Sequence, residues 1–139
     1  MLPSFELNYL AVAAAAVVTF LIGAVWYSPL LFAKAWMKAH DYVEADLARL
    51  RKSAGRAYAF SFPAYVVVAA AIGVLVYYLN LRRADQGVQL GLLLWGGIVA
   101  PLGLIAHLFS EQKLSAWLID ASYQLVYLLA MASILTLWR

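Results

Sequence analysis

His107, Glu111 and Asp120 are the side chains of this sequence best suited to chemistry. His107 and Glu111 are four residues apart, so on a helix they share a face, and Asp120 follows beyond a short turn. An imidazole and two carboxylates could ligate a divalent metal ion or pass a proton along. The plainer reading is a hydrogen-bonded His107–Asp120 pair that spares two polar groups from facing lipid. Because His/Glu spacing of this kind is common in helices, no metal is assigned on it. The turn is centred near residues 113–114, which sets His107 and Asp120 at similar depth on adjacent antiparallel helices, facing each other. Gln124 and Tyr127 fall four and seven residues after Asp120, giving one polar stripe. No Gly-x-Ser-x-Gly, His-Glu-x-x-His or phosphate-binding glycine loop occurs. Cysteine is absent, which removes disulfides, thiolate metal sites and thiol redox chemistry. A protein without enzymatic activity and without a cofactor is expected.

The elements that must position these groups are membrane helices. Of the 139 residues, 66% are hydrophobic and 12% charged, with a mean hydropathy of +0.83. A soluble domain has roughly 45–50% apolar and about 25% charged residues. A chain this short cannot bury such an excess inside itself, so lipid must be its solvent. Four apolar runs cover residues 7–27, 57–79, 88–108 and 118–138. The first, free of charge, would extend about 31 Å as a helix, close to the ~30 Å hydrocarbon core. A signal peptide is disfavoured because Glu6 stands where basic residues belong and the run is too long. Continuous rather than alternating apolar character excludes strands. The fold class is an all-α membrane protein, a single domain forming a four-transmembrane-helix bundle with an interfacial helical loop at 28–56.

Lys34, Lys38, Arg49, Arg51, Lys52, Arg56 and Lys113 lie on one side of these spans, and Arg82, Arg83 and Arg139 on the other. The positive-inside rule then puts the 28–56 loop in the cytoplasm and both termini outside. Within the loop, Pro29 ends or redirects the first helix. Leu30–Lys38 reads as a short helix in the headgroup region, with Phe32 and Trp36 on one face and Lys34 and Lys38 on another. Asp41 looks like the N-cap of a capping box with Glu44, opening a helix from Tyr42 to Lys52 that Ser53-Ala54-Gly55 breaks. Trp26 and Tyr27 read as interface anchors, with Ser28 satisfying backbone groups near Pro29. Gly87, Gly91, Gly96 and Gly97 give the third span a smooth face for close helix packing, within one chain or between chains. The basic set is small and membrane-apposed, so it suits lipid headgroups rather than nucleic acid.

The stretch Trp26-Tyr27-Ser28-Pro29-Leu30-Leu31-Phe32, followed by Lys34 and Trp36, resembles a bacterial membrane family catalogued as domain of unknown function 1761. Ala45-Asp46-Leu47, Val99-Ala100-Pro101 and Leu118-Ile119-Asp120-Ala121-Ser122-Tyr123 extend the likeness over the whole chain. The resemblance implies a four-helix protein of the bacterial inner membrane and brings no activity with it. In the family pattern Asn stands at the place of Asp120 and no His at that of His107, so a role for this pair would be particular to this chain. The expected function is a non-enzymatic membrane bundle that assembles into a homo-oligomer and contacts membrane lipids. The alternative is a small transporter or channel for a proton, ion or small solute.

Overall fold

A computed structural model describes residues 1–139. Five helices account for almost all of it: α1 (Tyr9–Trp26), α2 (Ala33–Ala39), α3 (Glu44–Tyr78), α4 (Ala84–Phe109) and α5 (Leu114–Leu137). All but α2 are long and apolar enough to cross a membrane.

Local chemistry sets most of the helix ends. Asn8 caps α1, its side-chain oxygen accepting the Ala11 amide at 3.1 Å. Beyond the C-termini of α2, α3 and α4 stand Asp41, Asn80 and Glu111, each with positive φ near 55°. In each case the following amide reaches five residues back: Tyr42 to the Met37 carbonyl, Leu81 to Val76, Gln112 to His107. These are Schellman closures built without glycine, with Asp and Asn at two of them tolerating the left-handed conformation better than most residues. Asp41 therefore closes α2, and it is not the N-cap expected of it. Val43 takes that place at α3, where its amide donates to Asp46 Oδ2 at 2.8 Å.

The helix α3 runs 35 residues without the break expected at Ser53–Gly55. A glycine inside a helix costs only about 1 kcal/mol, and the alanines, leucines and basic residues around Gly55 are good helix formers. The α3 helix consequently projects well past the apolar stretch 57–79. Inside it Pro63 lacks the amide that would bond the Ala59 carbonyl. α4 contains one π-helical turn, Trp95–Val99, immediately before Pro101.

α5 is the central helix. Its residues Tyr123, Tyr127, Leu128, Met131, Ala132 and Leu135 are buried, with α1 and α3 against one side and α4 against the other. Small residues allow these approaches. A Cβ at Gly87 would lie 2.9 Å from the Ala132 carbonyl oxygen, and one at Gly91 3.1 Å from that of Leu128. Ala11, Ala15, Ala69, Ile72 and Val76 join α1 to α3 in the same core. α4 packs principally on α5, and of its 26 residues only Gly87, Leu90, Gly91 and Ala100 are buried. Gly96 meets nothing within 4 Å and Gly97 only the tip of its own helix's Leu93. Four of the five glycines of the third span thus divide, Gly87 and Gly91 packing inside the chain and Gly96 and Gly97 facing outward, while a Cβ at Gly103 would stand 3.6 Å from Trp117 of α5.

Candidate functional site

At the end of the molecule opposite the termini, α1, α4 and α5 are joined through one carboxylate. Asp120 is the seventh residue of α5, at the end of its second turn, at the level where α1 stops and α4 has less than one turn left. Tyr27, the residue that caps α1, donates its hydroxyl to Asp120 Oδ1 at 2.6 Å. His107 Nε2 lies 3.2 Å from Asp120 Oδ2, with the two side chains 18% and 25% exposed. His107 Nδ1 is 2.8 Å from the Gly103 carbonyl oxygen.

These contacts fix a proton count. A carbonyl only accepts, so His107 Nδ1 carries hydrogen and donates to Gly103. His107 Nε2 then meets a carboxylate oxygen, and two lone pairs would face each other unless a proton sits between them. Either His107 is doubly protonated and donates to Asp120, or Asp120 is the acid and donates to His107. The arrangement holds one proton in both cases.

Indole groups staple the same end. Trp26 Nε1 donates to the Ile119 carbonyl at 3.1 Å, Trp95 Nε1 to Ala121 at 2.7 Å and Trp117 Nε1 to Ala100 at 3.0 Å. The last two cross between α4 and α5 in opposite directions. Trp26 and Tyr27, expected as anchors in the lipid interface, spend their polar atoms on α5 instead. Ser28 behaves as its position beside Pro29 implies, donating to Val25 O at 2.6 Å and accepting from the Leu30 amide at 3.2 Å.

α2 lies over this cluster. It starts at Ala33, later than the Leu30 expected, because Pro29 through Phe32 form turns. Phe32 packs on Trp26 with ring centroids 4.8 Å apart, and Trp36 on Tyr27 at 6.4 Å. Their aromatic face is therefore turned to the bundle, leaving Lys34 and Lys38 exposed. His40 sits between Trp36 and Tyr42, at 4.3 and 5.4 Å, and its Nε2 is buried without a hydrogen-bond partner. Burial holds its pKa below the ordinary imidazole value; His107 acts in the same direction, Asp120 and Asp41 against it. Lys113 Nζ reaches Asp41 Oδ1 at 2.6 Å, tying the α4–α5 turn to the α2–α3 connection.

Glu111 is exposed in that turn and makes no ion pair, and no three His, Asp or Glu side chains are grouped to hold a metal ion. Gln124 faces α4, its Oε1 3.9 Å from where a Gly103 Cβ would stand. Tyr127 packs against Tyr65 of α3 and Tyr123, at 5.5 and 5.0 Å. The Asp120 stripe therefore meets two different neighbours rather than lining one path.

A groove of about 900 Å³ opens beside the cluster, between α1, α2 and α3. The start of the chain and α1 close on α3 near the termini, where a Gly73 Cβ would come within 2.9 Å of Leu7 and 4.0 Å of Val12. Toward the other end Phe20 props them apart, its ring 5.5 Å from Tyr58 and 5.8 Å from Phe62. Gly23 and Ala24 form one wall and Ala54, Ala57 and Tyr58 the other, under Trp36 and Met37. Its inner side reaches Asp120 and Tyr123. The Tyr123 hydroxyl is 2.9 Å from the Thr19 carbonyl oxygen and 3.1 Å from the Tyr65 hydroxyl.

The family model for a protein of unknown function, DUF1761, matches residues 10–136. The chain belongs to that family. No curated protein and no solved structure matches it. In this DUF1761 protein the matched segment contains the whole cluster and the groove. Of this cluster, His107 and Asp120 stand out in the sequence, whereas Tyr27 reads there as an interface anchor and His40, Tyr65 and the Asp41–Lys113 pair carry no signal of their own. Tyr27 could have been found from depth alone, since it and Asp120 both lie at the loop-side ends of their spans.

Proposed function

We propose that this protein is a non-enzymatic bundle of the bacterial cytoplasmic membrane that assembles with itself and contacts lipid, with the 28–56 region in the cytoplasm and both termini outside. The observation that carries self-assembly is the outer face of α4. This helix has one principal neighbour, and its free side presents bare Gly96 and Gly97 flanked by exposed Leu93 and Ile98. Between membrane helices, where lipid is as apolar as leucine, close backbone approach at small residues is the main source of association. A second chain can reach the Gly96–Gly97 backbone as α5 reaches that of Gly87 and Gly91.

The natural absence of cysteine makes the test direct. Gly97→Cys, in membranes under mild oxidation, should form a disulfide-linked dimer, whereas Val67→Cys on the exposed face of α3 should not. A chain that stays monomeric in lipid, with no cross-link at Gly96→Cys or Gly97→Cys, would remove the proposal.

Proton or ion transport is the second reading, favoured by the proton held between His107 and Asp120 beside an open groove. Against it, the interior beyond Tyr65, Tyr123 and Tyr127 is closed by Ala69, Ile72, Val76, Leu128, Met131 and Leu135. An ion would have to cross that packed layer, whose buried polar side chains are Thr19 and Thr136, with too few polar groups to replace its water.

A further inference from the structure

We infer that the groove between α1 and α3 holds one anionic glycerophospholipid, its phosphate at Arg51 and an acyl chain along Phe20 and Tyr58. The inference rests on the reading of this protein as a lipid-contacting membrane bundle and names the lipid and its place. Depth is the first argument. Arg51 lines the groove six residues before the apolar run that begins at Ala57, and Tyr65 lines it eight residues into that run. At ~1.5 Å per residue those positions lie about 9 Å above the hydrocarbon boundary and about 12 Å below it. A bilayer leaflet has its headgroups in the first zone and about 15 Å of hydrocarbon in the second. The groove therefore follows a single leaflet from headgroup level almost to the midplane.

Charge is the second argument. Arg49, Arg83, His107 and Lys113 take the four ion pairs of the molecule. Arg51 is in none of them and is exposed at the groove's mouth. Its guanidinium offers the planar, paired donors that suit a phosphate. Below it the lining is mostly apolar, and the one carboxylate of the inner wall, Asp120, already has Tyr27 and His107 as partners. The groove thus presents a free cation at headgroup depth, an apolar slot at chain depth and no unpaired anion to repel the phosphate. A zwitterionic lipid would fit the slot but set its own cationic group near Arg51 and the neighbouring Lys52.

The test uses the full chain in detergent, titrated with phosphatidylglycerol or phosphatidylcholine of identical acyl chains, with bound lipid counted by native mass spectrometry. One phosphatidylglycerol should be retained in preference to phosphatidylcholine. Arg51→Gln, an exposed change that leaves the packing intact, should weaken phosphatidylglycerol by about fivefold, the worth of one basic side chain at an anionic surface. Ala57→Trp fills the slot and should abolish retention of either lipid. Equal retention of the two lipids, or retention unaffected by both variants, would overturn the inference. So would a disulfide-linked dimer through Ala57→Cys, which would put a second copy of the chain in the groove. The Gly97→Cys cross-link, measured on the same preparations, separates the two ideas. If it persists while lipid selectivity is missing, only the groove assignment falls.

Discussion

Asp120 serves two helices with its two oxygens, and what replaces it shows which feature matters. Asparagine can accept from Tyr27 through its oxygen and donate through its amide to the bare Nε2 of a neutral His107. Asp120→Asn should therefore keep the cluster intact, shifting stability by less than about 1 kcal/mol, while removing the need for a held proton. Asp120→Ala strands the Tyr27 hydroxyl and the His107 ring and should cost about 2–4 kcal/mol. Nitrogen-15 shifts of His107 give the check: Nδ1 should carry hydrogen in the native protein and in Asp120→Asn alike. An unprotonated Nδ1 would mean the Gly103 contact is misassigned. His40 gives the pH dependence. Its folded pKa is depressed by burial, so on acidification below about pH 6.5 the unfolded chain takes up a proton before the folded one does. Stability is then highest above that pH and declines as pH falls. Hydrogen exchange over α2 should report easier opening at about pH 5.5 than at about pH 7.5, and His40→Phe should flatten the difference. An opening free energy that is the same at both pH values would sink this account. The pairing of His107 with Asp120 was legible because depth on two antiparallel helices follows from residue counting. That Tyr27 shares the carboxylate was hidden, because aromatic residues at span ends are ordinarily interface anchors and the rotation of α1 about its axis leaves no trace in composition.

At the level of elements the glycines of α4 separate packing inside the chain from packing outside it. Gly91→Leu forces a side chain into the Leu128 carbonyl and the Leu129 backbone, so α4 must lift off α5 and the folded chain should be lost or destabilised by about 3 kcal/mol or more. Gly96→Leu meets nothing in its own chain and should leave the monomer fold unchanged while weakening the α4–α4 cross-link. Thermal unfolding and cross-linking of the two variants, measured side by side, check this. Equal behaviour of the two would mean that α4 has one glycine face rather than two. The four spans could be read from hydrophobic runs because lipid leaves few alternatives to a helix of about 20 residues. The continuity of α3 could not, since Ser53-Ala54-Gly55 is a turn signal in isolation and its cost is small against a helix already held at both sides. Asp41 misled for a related reason: the residue types that open a helix also accept the left-handed conformation that closes one.

Considered whole, the molecule has two unlike ends. One gathers the termini and the α3–α4 turn, where Arg139 reaches the Asn80 side chain and the Leu81 carbonyl at 3.1 and 3.2 Å. The other carries α2, the extension of α3 and seven of the ten basic residues. The positive-inside rule gives this asymmetry a direction. In intact cells a membrane-impermeant thiol reagent should label Asp85→Cys and not Lys52→Cys. The opposite pattern would reverse the topology. The extension of α3 has a mechanical side as well. From Pro63 to Glu44 is 19 residues, an arm of about 28 Å at 1.5 Å each, and the proline removes a backbone bond at its base. A bend of about 10° there would sweep Glu44 through about 5 Å, carrying one bank of the groove with it. Small changes of tilt, of the kind a change in bilayer thickness imposes, would thus be read out as large displacements beyond the membrane surface, with α3 as the lever and Pro63 as its fulcrum.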